Sequence, residues 1–228
     1  MFDVYRSGKK NPGAFHMTNV ILHAMVSCFV VLVAATMGFS SMSATCAGLL
    51  FATHPVHVEA VASIVGRAEI LSTLLILMAA QVWLSNALTT SRYPSVTFLG
   101  STVKISKYSL SVALILMAGL AKETGFFGGF CIFLMDLGLQ LADLESLNKF
   151  HLFRSFVLLS CTIVAILFRL SLNGESPPYK WTILENTIDY TEWPLKGFKI
   201  LGLHSWYMKF LLFGQGLSFD HGLGSTSD

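Results

Sequence analysis

Charge is what this chain has least of. Only 12% of its 228 residues are Asp, Glu, Lys or Arg, about half the share of an ordinary soluble domain. Apolar residues make up 54%, 18 residues are Phe, and mean hydropathy is +0.64. That balance excludes an ordinary soluble globule and describes a polytopic membrane protein. A net charge of +2, with no basic run and no zinc-finger spacing, gives nucleic acid nothing to bind. Cys28, Cys46, Cys131 and Cys161 each fall inside an apolar run and read as free thiols packed as small hydrophobes. No repeat recurs at 20–50 residues. The first apolar run is too long for the core of a cleavable signal and lacks a small-residue cleavage pattern, so it reads as a spanning helix.

Crossing about 30 Å of hydrocarbon takes about 20 mostly apolar residues. Residues 17–37 supply the first such run, broken by Gly38 and by serines at 40, 41 and 43. Residues 44–53 are too few to span alone, and they end at His54-Pro55. Pro suits the first position of a helix, so a short helix at the membrane surface is expected next. Residues 70–88 predict another span. The interval 88–108 carries Arg92, Lys104 and Lys107 and no acid, which makes it the best cytoplasmic loop by the positive-inside rule. Residues 109–141 are apolar for far longer than one span. An ion at mid-bilayer costs about 2.5–3.5 kcal/mol on insertion scales, so a break is expected at Lys122-Glu123-Thr124-Gly125.

A polar loop with Asp143, Glu145, Lys149 and Arg154 follows, then a span over 155–172 ending near Arg169. Residues 173–194 form a hydrophilic loop, and 195–213 predict a final membrane or interfacial helix. The expected fold is all-α, a polytopic helical membrane bundle with a surface helix. Residues 1–172 form its membrane region, and 173–228 a loop and last helix. Alternating from a cytoplasmic 88–108 places 54–69, Lys122-Glu123 and 173–194 together on the opposite side. Arg6, Lys9 and Lys10 then stand on that side against the rule, unless 1–16 belongs to a longer loop.

The stretch HPVHVEAVASIVGRAE, residues 54–69, sets two histidines, two glutamates and an arginine between apolar runs. In a helix starting at Pro55, three-and-four spacing gathers Glu59, Ser63, Gly66 and Arg67 on one face. A carboxylate and a guanidinium then reach one cavity; the plainer alternative is that both are solvated at the interface. His54 and His57 lack the HExxH or Cys partners of a zinc site, so capping and hydrogen bonding are expected of them, and no metal. Lys122-Glu123 is either a mutually neutralising pair at a helix junction or a functional one, because ionisable groups in membrane segments are functional candidates by default. His23, His204 and Asp136 stand isolated and are read as structural.

Four stretches carry a family resemblance: NPGAFHMTNVILHAMVS, HPVHVEAVASIVGRAEILST, LAKETG and KFLLFGQGLSFDHG. Together they resemble the transmembrane and tetratricopeptide-repeat-containing O-mannosyltransferases of the endoplasmic reticulum, over nearly the whole chain. The second is highly specific. The last departs from relatives, which usually carry Pro near Gly214 and Trp near His221. The resemblance implies a multi-pass glycosyltransferase of the GT-C type in the endoplasmic reticulum membrane. Such enzymes move mannose from the lipid donor dolichyl phosphate mannose to Ser or Thr of lumenal proteins, cadherins among them. No further cofactor is implied.

That chemistry needs a base for the hydroxyl proton and cations or donors for the departing phosphate. The resemblance therefore implies that Arg67 and Lys122 bind the donor phosphate. Glu59, Glu69 and Glu123 would orient those cations, and His54 and His57 would shape the lumenal cavity. Relatives carry an acidic pair in a large first lumenal loop and a long repeat array, and neither is found here. The chain is expected to be a piece of a longer protein, with its catalytic residues unassigned and no transfer activity by itself. Two other functions compete. A transporter-like protein with Lys122-Glu123 on a solute path predicts repeat symmetry between halves, which the sequence lacks. A non-catalytic assembly subunit would keep the fold without activity.

Overall fold

The computed structural model describes residues 12–63, 65–92, 98–142, 149–172, 188 and 190–213. Asp3, Arg6, Lys9 and Lys10, the loop acids Asp143 and Glu145, most of the 173–194 loop and the tail after 213 lie outside the described residues. Every regular element among the described residues is helical. In chain order these are α1 (Pro12–Thr36), α2 (Ser41–Thr53), a 3-10 turn (Pro55–His57), α3 (Val58–Ala62), α4 (Arg67–Arg92) and α5 (Phe98–Ala121). A second 3-10 turn (Glu123–Phe126), α6 (Phe127–Ala142), α7 (Lys149–Leu172) and α8 (Leu195–Phe213) follow. The chain divides into two compact units, residues 1–53 with 60–172 and residues 54–59 with 173–228.

Four segments among the described residues are long and apolar enough to cross a membrane: Gly13–Thr36, Arg67–Ser85, Glu123–Ala142 and Leu152–Leu172. The 13 residues of α2 reach only about 20 Å. Helix α8 is not one of the four. Gly38, with φ of +97°, ends α1 in a left-handed conformation that glycine adopts without a Cβ clash. Ser40 then caps α2, its Oγ accepting from the Ser43 amide at 3.2 Å, the usual device for an orphan N-terminal donor. The long apolar run breaks where expected, because α5 stops at Ala121 and α6 starts at Phe127.

The interval 88–108 differs from expectation. It is mostly helix, since α4 continues to Arg92 and α5 begins at Phe98. Hydropathy marks where a helix leaves lipid, while intrahelical hydrogen bonds carry it further through Ser, Thr and Asn. The expected surface helix is also different. It is the 3-10 turn and the five residues of α3, so no continuous face runs from Glu59 to Arg67.

In the larger unit α1 packs on α2 and α4, α4 pairs with α5, and α6 lies between α4 and α7. Small residues permit these approaches, as is usual where lipid removes the hydrophobic drive between helices. Gly48 faces Val31, Gly128 faces Ile76 and Gly129 faces Thr162, with no room for a methyl at any of them. One apolar core contains Ala79, Ala80, Trp83, Leu84, Ile115, Ile132, Phe133 and Leu158. A second joins Val26, Ile70 and Leu74. Large apolar side chains such as Val164, Leu167 and Phe168 on α7 face outward, the inverse of a water-soluble body. The four cysteines are free, as expected, but exposed rather than packed in these cores.

In the smaller unit, Lys199 on α8 donates to Thr191 Oγ1 at 2.9 Å. Trp206 stacks edge-on with Phe210, with ring centroids 4.1 Å apart.

Candidate functional site

Antiparallel pairing brings the start of α4, the α5–α6 junction and the end of α7 to one end of the larger unit. The charged side chains gather there. Arg67 opens α4, and its Nε donates to Asn19 Oδ1 at 3.0 Å while Nη2 donates to the Phe15 carbonyl at 3.2 Å. The Phe15 ring lies 5.3 Å from the guanidinium carbon, within cation–π range. Gly66 precedes Arg67, and a Cβ there would lie 2.6 Å from the Ala60 Cα. Only glycine lets the chain double back on α3 and enter α4 at this angle.

Glu69 in the first turn of α4 suits the positive end of the helix dipole, and its carboxylate pairs with the Lys122 ammonium. Lys122 is the residue before the 3-10 turn, and its backbone is extended (φ −152°, ψ 136°). Extension sends neighbouring side chains to opposite sides. Glu123 therefore turns to α7, where Arg169 Nη2 meets its Oε1 at 2.5 Å. Lys122 and Glu123 are not a mutually neutralising pair. Each reaches a different helix, and together they strap α4 to α7.

Arg67 and Lys122 share this end but not one flank of α4. Residues two apart on a helix do not face each other, so Arg67 is turned to α1 while Glu69 holds Lys122 near the α5–α6 junction. His54, His57 and Glu59 belong to the smaller unit. His54 caps the first 3-10 turn, its Nδ1 accepting from the Val56 amide at 3.2 Å. The His54 and His57 rings sit edge to face, centroids 6.1 Å apart, and Glu59 is exposed. No three His, Cys, Asp or Glu side chains among the described residues lie close enough to share an ion.

The sequence pattern marks Arg169 only as a helix end, leaves Asp136 isolated and does not single out Asn19, and it puts Arg154 in a loop where the structure has it buried inside α7. At the other end of the bundle, Asp136 accepts from Arg154 Nη2 (2.9 Å), Ser155 Oγ (2.8 Å) and Trp83 Nε1 (3.0 Å). Arg154 also donates to the Tyr108 hydroxyl at 3.2 Å, and Gln140 donates to Ser155 at 2.8 Å. The signal was available. Asp136 lies near the end of α6 and Arg154 near the start of α7, so an antiparallel hairpin sets them at one depth.

No family model matches the chain, and no solved structure matches it. Curated relatives do. Protein O-mannosyl-transferase Tmtc1 of Drosophila melanogaster is 32% identical over 98% of this chain and 26% of its own length. Protein O-mannosyl-transferase TMTC3 of Homo sapiens is 36% identical over 53% of the chain and 12% of its own length. The Mus musculus TMTC1 is 49% identical over 30% of the chain and 7% of its own length. The chain thus spans about a quarter of the length of Tmtc1. With the helical membrane architecture and a match that runs nearly end to end, these similarities place the chain in the TMTC family of protein O-mannosyl-transferases.

Proposed function

We propose that this chain forms the lipid-donor end of a protein O-mannosyltransferase in the endoplasmic reticulum membrane. Its donor is dolichyl phosphate mannose, and its acceptors are Ser or Thr hydroxyls of lumenal proteins, cadherin-type domains among them. The observation that carries this is the similarity to Drosophila Tmtc1 across 98% of the chain. The clustering of Arg67, Lys122 and Arg169 at one end of the bundle supports it.

In the reaction, the acceptor oxygen attacks the anomeric carbon of mannose and the bond from that carbon to the phosphate oxygen breaks. The hydroxyl proton passes to a base, and dolichyl phosphate leaves with the bonding electrons. Growing negative charge on that phosphate is what cations at a membrane rim stabilise. Arg67 and Lys122 take this role from the two flanks of α4, facing the lumen. Glu69 and Glu123 hold the surrounding cations in place, while His54, His57 and Glu59 shape the lumenal surface. The base is assigned to none of them.

Membranes carrying the protein are incubated with labelled dolichyl phosphate mannose and a cadherin-domain acceptor. Arg67→Ala and Lys122→Ala should each lower donor retention at least tenfold with expression preserved. Donor retention without transfer is the result expected of this piece, and no retention by the wild type would favour a non-catalytic subunit or a transporter-like protein. Retention unchanged in both variants would remove the site.

A further inference from the structure

Asn19 is fully buried in α1, among helices that offer a polar group little water. An amide in such a place needs all its partners, because each unmet group costs free energy of desolvation. Asn19 has them from three segments. Its Oδ1 accepts from Arg67 Nε at 3.0 Å, and its Nδ2 donates to the carbonyls of Val61 and Ser63 at 3.1 and 2.9 Å. These partners settle which atom is oxygen. Turned about, the amide would set N–H against N–H and oxygen against two carbonyls. Phe15, one turn earlier on the same face of α1, adds its carbonyl and ring to the same guanidinium.

We propose that Asn19 is the positioning residue for Arg67. One amide ties the end of α3, the backbone at Ser63 and the first side chain of α4 to a single point on α1. It thereby sets the direction in which the guanidinium presents itself to a phosphate monoester or diester headgroup. This rests on Arg67 being a donor-phosphate ligand. A guanidinium recognises phosphate through a planar fork of fixed direction, so a side chain free to swing would bind it more weakly while keeping its charge. The role differs from plain scaffolding in one respect: its effect on the donor should vanish when Arg67 is gone.

Two readouts test this on Asn19→Leu, Arg67→Ala and the double variant. The first is the rate at which phenylglyoxal labels Arg67, followed by peptide mass spectrometry, which needs no donor. The second is retention of labelled dolichyl phosphate mannose. Asn19→Leu should speed labelling at least threefold and weaken retention about tenfold, and the double variant should retain donor as Arg67→Ala does. Additive losses, or unchanged labelling in a folded Asn19→Leu, would overturn the positioning role. Asn19→Asp keeps the test open if the leucine variant does not fold. It keeps an acceptor for the guanidinium but sets an oxygen against the Val61 and Ser63 carbonyls, so labelling should speed and retention should fall by less than in Arg67→Ala. A loss equal to that of Arg67→Ala would overturn the proposal. Wild-type retention by Arg67→Ala would overturn the phosphate role of Arg67 itself, and with it the function given to Asn19, even if Asn19→Leu still speeds labelling.

Discussion

Asp136 on α6 and Arg154 on α7 form an ion pair of 2.9 Å in which both side chains are more than nine-tenths buried. Tyr108 from α5 and Trp83 from α4 complete the shell, so one polar cluster ties four helices at the end of the bundle away from Arg67. Such a cluster is stable only when its members are satisfied together; of the buried side-chain nitrogens and oxygens among the described residues, Gln140 Oε1 at its edge alone lacks a partner.

Removing one member should therefore cost more than removing an exposed charge. Asp136→Ala strands the Arg154 guanidinium and the donors of Trp83 and Ser155. A loss of about 3–5 kcal/mol is expected, as for other buried pairs broken on one side. Exchanging the charges, Asp136→Arg with Arg154→Asp, should not restore stability, because Trp83 Nε1–H, which can only donate, would then point at a cation. Unfolding of the purified protein in detergent checks both, and a fully restored exchange variant would contradict the geometry.

How much of this was legible in the sequence follows from what kind of information each feature needs. The break at Lys122-Glu123 could be read because placing ions at a surface is a local requirement. The partners of those two residues could not, since they depend on an extended backbone at Lys122 and on helices far along the chain. Arg67 was found from its neighbours in sequence, but its hold on Asn19 crosses from α4 to α1. The one-face pattern from Glu59 to Arg67 failed because Gly66 sits in a reversal, packed on Ala60, that spacing alone does not reveal. Asp136 and Arg154 are legible, since each lies a similar number of residues from the loop that joins α6 to α7.

Glycine positions give a second, sharper prediction. A Cβ at Gly66 or Gly125 would meet backbone atoms of Ala60 or Ala118, which cannot rotate away, whereas a Cβ at Gly138 meets nothing within 4 Å. Gly66→Ala and Gly125→Ala should destabilise by about 1–3 kcal/mol through overpacking. Gly138→Ala lies inside α6 and should be neutral or stabilising by up to about 1 kcal/mol, since alanine is the better helix former. Thermal midpoints of the three variants in one detergent order them. Equal behaviour would mean that the backbone does not pass Ala60 and Ala118 as closely as described.

The ion pairs at the other end call for the opposite expectation. Lys122 and Arg169 are each 37% exposed, and their partners Glu69 and Glu123 are 51% and 63% exposed. Exposed pairs contribute only about 0.2–1 kcal/mol each. Glu69→Gln and Glu123→Gln should accordingly shift the thermal midpoint by no more than about 2–4 °C, far less than Asp136→Ala. Their effect should appear in how the cations behave. With Glu69 neutralised, Lys122 loses the carboxylate that holds it in place, so donor retention should weaken, and should fall more steeply as salt is raised because exposed charges are screened within about 10 Å at 0.1 M. Lys122→Met should abolish that salt dependence together with retention. If Glu69→Gln instead unfolded the protein, the strap from α4 to α7 would be a structural element, and its charges could not be assigned to an anionic headgroup.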